Sequence, residues 1–376
     1  MNICITRSKK FVYSETFIRN QIRGISDRAP VYTLHTGRLP EKKEDDSWLS
    51  PLPVRIAGKL VRLITGRRDN YFTNIGLVNF YKRNKIEIVL ANYGLSAAHL
   101  VSSCQKTGIP LVPHFHGYDA TMHRVLKQYK NDYLKLFAYA PAVVAVSQVM
   151  KQKLVNAGAD AAKVHVIPYG ISLERFKPVA QNAEKELTFL AVGRFTAKKG
   201  PQITIRAFAR ILDEFPQARL LMIGGKDGLY EECAALVKSL GIENAVSFTG
   251  VMPSEEIAVM MQRAFAFLQH SVTPASGDME GTPLSVLEAA ASGLPVVSTM
   301  HGGIMEAVQH GSTGFLVPEY DEEAMSEYMR ELAANPKLAA EMGLRAQMHI
   351  RENYNEEIQF EKLFQLLNKA AQASKQ

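Results

Sequence analysis

The sequence has no long hydrophobic run and few cysteines. No apolar stretch approaches the roughly 20 residues that a membrane-spanning helix needs, so a transmembrane protein is not expected. The start, MNICITRSKKF, lacks the apolar stretch that follows the charged region of a signal peptide. The three cysteines (Cys4, Cys104 and Cys233) lack metal-ligand spacing and cannot all pair within one chain. These features predict a protein of the reducing cytoplasm.

Other missing motifs exclude further classes of protein. No G-x-G-x-x-G follows the first predicted strand, which disfavours a dinucleotide-dependent dehydrogenase. No convincing Asp-x-Asp metal motif is found, and nothing supports the pyridoxal-phosphate lysine of a phosphorylase. A groove-reading motif and a stacking set of aromatics are also missing, which opposes nucleic-acid binding. We therefore expect no metal, no cofactor and no nucleic-acid partner.

Charge is unevenly divided along the 376 residues. Residues 1–180 contain 27 Lys and Arg residues and 12 Asp and Glu residues, a net charge of +15, and the remaining residues carry a net charge of −8. A basic first half indicates that this half faces something anionic. At this point nucleic acid, a membrane surface and a phosphate-bearing substrate are all compatible with the charge.

Short apolar runs alternate with segments of helical period through most of the chain. The runs NICIT, PVYTLH, IEIVLA, PLVPHFHG, AVVAVS and KVHVIP predict strands, and a second series follows with TFLAVGRF, ARLLMIGG, AVSFTG, AFAFLQHS and LPVVST. Such runs are apolar on both faces, as in parallel sheets that helices cover. We predict two doubly wound, Rossmann-like α/β domains that face each other across a cleft, with a polar boundary near residues 171–186.

Ligands of open α/β sheets bind beyond the carboxyl ends of the strands, and several conspicuous residues follow predicted strands. In Val192–Gly200, Arg194 and either Lys199 or Lys198 are placed to bind an anion. Two further strand ends carry glycine turns that we predict to contact a nucleotide, at Gly224 and at Gly250 with Met252. Each motif taken alone is also compatible with an ordinary loop.

The segment Gly277–Ser298 contains two glutamates with seven residues between them, Glu280 and Glu288. Pro283 fits the first turn of a helix, whose free N–H groups favour an anion. A nucleoside diphosphate sugar would fit, with phosphates at the helix start, Glu288 on the ribose and Glu280 on the sugar. Alternatively, Glu280 is a helix-start acid and Glu288 faces solvent; the apolar flanks of Glu288 argue against this. The predicted donor-binding residues here are Glu288, Gly281, Thr282, Pro283 and Leu284.

Three motifs in register, EGTPLSVLEAAASGLPVVS, GRFTAKKG and GGIMEAVQHGSTGFLV, resemble the retaining glycosyltransferases of family 4, which have the GT-B fold. The resemblance covers nearly all of the second half. It implies a donor-binding domain over 183–353, an acceptor-binding domain over 1–175, and a last helix, about 354–376, that returns to the first domain. It also implies that no metal is required.

In the first half, the resemblance assigns to His116 in PHFHGYDA a position facing the transferred sugar. His114 is the alternative, because strand alternation places it on the same face. The first loop carries Ser14-Glu15-Thr16 in place of the two glycines of many relatives, and it is similar to the SETF version of exopolysaccharide and surface-glycan enzymes. Ser14 and Thr16 are predicted loop contacts, although Ser14 is equally suited to cap the next helix.

The segment Val54–Arg68 is apolar at helical spacing with five interleaved basic residues. This pattern is typical of a helix that lies on anionic lipid, and equally of a surface helix that packs its apolar side on its own domain. The lipid interpretation predicts a peripheral protein on the inner face of the plasma membrane.

The sequence thus predicts a retaining hexosyltransferase for bacterial surface polysaccharide, with Glu280, His116, Arg194 and Lys199 as catalytic residues. The donor is a UDP-sugar or, next, a GDP-sugar, and the acceptor is a glycan or a polyprenyl-diphosphate-linked sugar. The alternatives are a nucleotide-sugar epimerase on the same fold and a basic nucleic-acid-binding protein. Salt-sensitive binding to random duplex DNA would identify the latter.

Overall fold

The computed structural model describes residues 1–11, 15–65, 71–178 and 186–373. Two compact units are formed, one by Met1–Pro168 with Glu357–Gln376 and the other by Tyr169–Glu356. The chain therefore passes from the first unit to the second between Pro168 and Tyr169, just before the polar stretch near residues 171–186. The reason is that Ile171 already belongs to the second unit, where its N–H donates to the Tyr354 carbonyl at 2.7 Å and both side chains enter one core. Residues 179–185 of that predicted boundary lie outside the described residues.

The first unit is built on a seven-stranded sheet in the order β3-β2-β1-β4-β5-β6-β7. Its strands are β1 (Ile3–Thr6), β2 (Val31–His35), β3 (Lys42–Lys43), β4 (Ile88–Asn92), β5 (Leu111–Phe115), β6 (Val143–Ala145) and β7 (Val164–Val166). Only the β2–β3 pairing is antiparallel. The order reverses between β1 and β4, the switch point where open α/β sheets form ligand sites.

Helices follow the strands of this unit as the periodic segments predict. They are α1 (Thr16–Ser26), α2 (Leu52–Thr65), α3 (Tyr71–Arg83), α4 (Gly94–Thr107), α5 (Tyr118–Thr121), α6 (His123–Tyr139) and α7 (Gln148–Asn156), with α15 (Glu356–Ala373) from the end of the chain. Leu363 and Leu367 of α15 join the core beside β1 and β4. Arg28 adds ion pairs to Glu357 and Glu361. The last helix is therefore part of the first unit.

The second unit has a six-stranded parallel sheet in the order β10-β9-β8-β11-β12-β13. Its strands are β8 (Thr188–Val192), β9 (Arg219–Ile223), β10 (Val246–Gly250), β11 (Ala266–Gln269), β12 (Val296–Thr299) and β13 (Gly314–Val317). Its helices are α8 (Pro201–Ala209), α9 (Tyr230–Ser239), α10 (Ser254–Arg263), α11 (Leu284–Ala291), α12 (Ile304–Ala307), α13 (Glu322–Ala334) and α14 (Pro336–Asn353). Two apolar clusters, one containing Phe189 and Phe208 and the other Phe267 and Leu287, form its core.

The predicted α/β class with two Rossmann-like domains is confirmed. Two strands escaped the sequence prediction, β3 and β13, and Pro283 is placed differently. Pro283 precedes α11 as its N-cap with ψ of 109°, an extended conformation, so it does not lie in the first helical turn. Within the described ranges, no helix is both long and apolar enough to cross a membrane.

Candidate active site

The carboxyl ends of β8 and β11 bring Lys199 to Glu280. Lys199 Nζ lies 3.3 Å from Glu280 Oε1 and 3.1 Å from Gln269 Oε1. Gln269 ends β11 and is fixed by Ser285 Oγ, which donates to the same Oε1 at 3.0 Å. The first turn of α11 therefore holds the amide that orients the lysine.

The turn after Lys199 depends on glycine at position 200. Gly200 has φ of +51°, and a Cβ there would lie 2.0 Å from the His270 carbonyl oxygen. The loop from β8 can thus lie directly on the backbone that follows β11. This close approach is what places Lys199 beside the end of the neighbouring strand.

The Lys199–Glu280 pair is mostly shielded from water, with side chains 18% and 11% exposed. Burial acts to raise the pKa of Glu280, but attraction to Lys199 and then to Lys198 outweighs it and leaves the pKa below its usual range. Burial lowers the pKa of Lys199, which the attraction of Glu280 opposes. The two groups face each other as an ion pair, which is how buried charges are tolerated.

The two lysines that the sequence left open have different partners. Lys198 Nζ pairs with Asp278 Oδ1 at 3.1 Å, whereas Lys199 pairs with Glu280. Arg194, which also follows β8, is exposed. This strand end therefore carries two shielded lysines, each paired with its own carboxylate, and one solvent-facing arginine.

Glu288 lies in α11 and is half-buried. Burial raises its pKa to about 7, and attraction to Arg175 and Lys199 offsets this only in part. Lys199 thus acts electrostatically on both glutamates of the segment. A carboxyl with this pKa changes its charge near neutral pH.

The other residues predicted to bind the donor lie in two places in the second unit: after β9 and β10, and at the start of α11. Gly224 follows β9, and its N–H donates to the Gly250 carbonyl at 3.1 Å. Met252 is half-buried against the core that contains Leu287. Gly281 and Thr282 are buried and lead, with Pro283, into Leu284, the first residue of α11.

In the first unit, His114 and His116 are both buried at the carboxyl end of β5, with ring centroids 4.3 Å apart. His116 Nε2 lies 2.8 Å from Asn92 Oδ1, and His114 Nδ1 lies 2.8 Å from Gln21 Nε2. Asn92 in turn donates to Gln21 Oε1 at 3.0 Å. Burial lowers the pKa of His114 to about 3 and that of His116 well below its usual range. Both rings are therefore neutral at physiological pH.

The polar network around His116 includes residues that the sequence did not single out. The Asp119 carboxylate accepts the N–H groups of His116 and Gly117, both at 3.0 Å, and thereby shapes the turn after β5. The Tyr93 ring packs on His116 at 4.8 Å, and its hydroxyl donates to Glu15 at 2.8 Å. The presence of an aspartate three residues after His116 is the sequence feature that could have predicted the hydrogen bond from the His116 N–H to Asp119.

Glu15 is the N-cap residue of α1, and Thr16 begins the helix. The helix start is therefore linked through Tyr93 to the surroundings of His116. Ser14, the other predicted contact of this loop, lies outside the described residues.

The described part of the basic amphipathic segment lies in α2, where five apolar side chains are exposed while Val54 and Val61 are half-buried. Leu63 and Ile64 are 85% and 80% exposed, and Leu52, Ile56 and Leu60 are also exposed. The guanidinium of Arg55 lies 3.5 Å from the centre of the Trp48 ring. Arg67 and Arg68 of the predicted segment lie outside the described residues.

Family models and known proteins match both halves of the chain. A model of glycosyl transferases group 1 matches residues 173–349, and a model of glycosyltransferase family 4 matches residues 14–175. The amylovoran biosynthesis glycosyltransferase AmsK of Erwinia amylovora is 33% identical over 289 residues, which cover 76% of this chain and 70% of that protein. The chain belongs to the family 4 glycosyltransferases.

Solved structures agree with this glycosyltransferase in fold. Sucrose-phosphate synthase from Thermosynechococcus elongatus has a TM-score of 0.79 at 20% identity, covering 99% of this chain and 100% of that one. Anabaena Alr3699/HepE in complex with UDP and glucose has a TM-score of 0.76 at 18% identity, covering 98% and 100%. These neighbours are GT-B glycosyltransferases, so the glycosyltransferase described here has the GT-B fold.

Proposed function

We propose that this glycosyltransferase moves a sugar from a nucleotide diphosphate donor to an acceptor hydroxyl, with retention at the anomeric carbon and without a metal ion. UDP-sugars are the favoured donors and GDP-sugars the next. The acceptor is a glycan or a polyprenyl-diphosphate-linked sugar of a bacterial surface polysaccharide. The single observation that carries the proposal is the shielded Lys199–Glu280 pair beside the start of α11.

The energetic problem is the negative charge that grows on the diphosphate as its bond to the sugar breaks. Lys199, held by Glu280 and Gln269, and the N–H groups at the start of α11 are a cation and dipoles fixed before the reaction, and Arg194 adds a solvent-facing cation. This arrangement stabilises such charge. The acceptor oxygen bonds to the anomeric carbon on the face that the diphosphate leaves. The acceptor proton passes to the departing phosphate oxygen, so no enzymic nucleophile is needed.

The two glutamates bind different parts of the donor. Glu280, ionised by its partner Lys199, accepts hydrogen bonds from sugar hydroxyls. Glu288, farther along α11, accepts hydrogen bonds from the ribose diol. His116 faces the transferred sugar as a neutral ring. The relative AmsK, named for amylovoran biosynthesis, supports a role in exopolysaccharide synthesis, and HepE, solved with UDP, supports a uridine donor.

The test is to incubate the purified protein with UDP-sugars and GDP-sugars, with and without EDTA, and to measure released nucleotide diphosphate. We expect slow hydrolysis of one donor, unaffected by EDTA and lost in Glu280→Ala. Release that depends on added metal would overturn the metal-independent mechanism. Failure of every UDP- and GDP-sugar to bind, measured by calorimetry, would overturn the donor class.

We further propose that α2 binds this enzyme to an anionic lipid surface, where polyprenyl-linked acceptors reside. Its exposed residues Leu52, Ile56, Leu60, Leu63 and Ile64 recur at helical spacing and form one apolar face. Basic side chains such as Arg55 and Lys59 accompany that face, and the net +15 of residues 1–180 is complementary to acidic headgroups.

Flotation with phosphatidylglycerol vesicles tests this docking. The wild type should float at low salt and less at high salt, and the double variant Leu63→Asp/Ile64→Asp should not float. Leu344→Asp/Met348→Asp is the matched control, because it places the same charges on an exposed apolar pair of α14. No association of the wild type at low salt would end the proposal.

A further inference from the structure

The turn between β12 and α12 lies directly on the backbone of the Glu280 loop. A Cβ on Gly302 would lie 2.3 Å from the Glu280 carbonyl oxygen, and one on Gly303 would lie 1.9 Å from that of Gly281. His301, immediately before these glycines, has a fully buried side chain, and its Nε2 lies 3.0 Å from the Glu280 backbone nitrogen. The glycines thus permit an approach that brings one imidazole to the backbone of Glu280.

The hydrogen bonds of His301 determine which ring nitrogen carries the proton. The backbone N–H of Glu280 can only donate, so Nε2 must accept and carries no hydrogen. The hydrogen is therefore on Nδ1, which lies 2.6 Å from Glu319 Oε1. A carboxylate that fixes the tautomer and orientation of a histidine is a recurrent device behind reactive groups.

Glu319, which faces His301, also accepts two hydrogen bonds from Thr273. Thr273 donates its N–H to Glu319 Oε2 at 2.7 Å and its hydroxyl to Oε1 at 3.0 Å. The hydrogen bonds from His301 and Thr273 lower the pKa of Glu319 against the opposing effect of burial. A chain of contacts therefore runs from Thr273 through Glu319 and His301 to the backbone of Glu280.

We propose that His301 and Glu319 are positioning residues, which hold the Glu280 backbone so that its carboxylate meets Lys199 and the donor sugar. Glu280 is anchored at two points, its N–H on His301 Nε2 and its carboxylate on Lys199 Nζ. Losing the first anchor frees the loop to rotate the carboxylate away. This inference rests on the proposed function in one respect, the role of Glu280 toward the sugar.

Glu319→Gln tests the tautomer with almost no change of shape. The Thr273 N–H requires an oxygen at the Oε2 position, so the amide nitrogen must stand where Oε1 faces His301 Nδ1. Nδ1 then has to accept, Nε2 gains the hydrogen, and two donors meet at the Glu280 N–H. We expect donor turnover to fall about 10- to 100-fold, with the Kd for the free nucleotide changed less than about threefold because Glu288 is untouched.

Two substitutions of His301 separate positioning from general packing. In His301→Gln the side-chain oxygen reaches the Nε2 position and still accepts from Glu280, whereas His301→Asn reaches only the Nδ1 position and keeps the contact to Glu319. We expect His301→Gln to retain more turnover than His301→Asn at similar Tm. The double variant Glu319→Gln/His301→Gln should recover turnover relative to Glu319→Gln, because glutamine can accept from Glu280 whatever residue 319 donates. Equal turnover in His301→Gln and His301→Asn, or no recovery in the double variant, would overturn the proposal.

A readout independent of turnover is the ¹⁵N NMR spectrum of the histidine rings, with the His301 signals assigned by their loss in His301→Gln. The wild type should show the hydrogen on Nδ1, and Glu319→Gln should show it on Nε2. A wild-type ring protonated on Nε2 would overturn the inference. If no nucleotide sugar is consumed but the tautomers are as expected, the proposed function fails while the Glu319–His301 arrangement stands.

Discussion

Each unit buries a polar cluster at the carboxyl ends of parallel strands, but the central side chains are charged in the second unit and neutral in the first. In the second unit, Lys199 and Glu280 are retained as an ion pair, since each charge faces its opposite. In the first unit, burial removes the charge of His114 and His116, and amide groups of Gln21 and Asn92 satisfy the neutral rings. Burial therefore has no fixed consequence for charge; the neighbouring groups decide it.

This contrast matches the demands of glycosyl transfer. In the proposed reaction the leaving diphosphate develops negative charge, and the second unit holds Lys199 close to the start of α11. A sugar hydroxyl is neutral, and under the proposed function the neutral imidazole of His116 can hydrogen-bond to it without adding a charge. The division predicts that substitutions of charged groups in the second unit cost more activity than loss of the ring nitrogens in the first.

The largest effect is expected for Lys199→Met. The substitution removes the cation that we propose to bind the donor phosphates and leaves Glu280 without its main partner, so turnover should fall about 10²–10³-fold. Steady-state release of nucleotide diphosphate measures this. Lys198→Met is the control, because Lys198 pairs with Asp278 and not with Glu280. Equal losses in both variants would show that the Lys199–Glu280 pair has no special role.

A smaller, pH-dependent effect is expected at Glu288. If the carboxylate binds the ribose diol, UDP affinity should rise as the pH rises through about 7, the pKa of Glu288. Glu288→Gln should bind UDP about tenfold more weakly at pH 8, because a charged acceptor is replaced by a neutral one. Calorimetric titrations at pH 6 and pH 8 measure the difference. A pH-independent wild-type affinity would contradict the assignment.

The same group makes a prediction for stability without ligand. The folded-state pKa of Glu288 is raised from 4.5 to about 7, so its ionisation is penalised in the folded protein and stability is lost as the pH rises through that interval. Glu288→Gln should therefore have a higher Tm than the wild type at pH 8 and a similar Tm at pH 4. Calorimetric scans of the free protein measure this, and a lower Tm for the variant at pH 8 would argue against a desolvated carboxyl.

The smallest effect on activity is expected in the first unit. His116→Phe keeps the packing on Phe17 and Tyr93 but removes the hydrogen bond to Asn92 and the proposed one to the sugar, so turnover should fall about fivefold. His114→Phe is the matched control, which removes the comparable bond to Gln21. Both should lower Tm, and only the first should lower turnover. The reverse result would assign the sugar contact to His114.

The sequence predicted most of the strands and turns because short stretches of consecutive residues encode them. Apolar runs marked eleven strands, and glycines and a proline marked the turns at their carboxyl ends. Of the two strands that escaped detection, β3 has only 2 residues, whereas β13 has 4, as many as the predicted strands β1 and β12. The strand β13 begins with Gly314, where a Cβ would lie 2.3 Å from the Val296 carbonyl oxygen. Glycine is therefore required at this position, and it adds no apolar side chain to the pattern that predicts a strand.

The support for the candidate site was harder to predict because it is encoded at long range. Lys199 stood out as a charge after a strand end and Glu280 as an acid just before a predicted helix, whereas His301 contacts the Glu280 backbone from 21 positions away. Glu319 acts on His301 only through the pairing of β12 with β13. Such contacts follow from which strands become neighbours, and no local pattern reports that.

The most direct test of the account is a comparison of Glu280→Gln and Glu288→Gln in two assays, UDP binding by calorimetry and consumption of the donor sugar. The account predicts a separation: Glu280→Gln should lose turnover and keep its affinity for UDP, whereas Glu288→Gln should bind UDP more weakly. Equal and mild effects of both substitutions in both assays would contradict it.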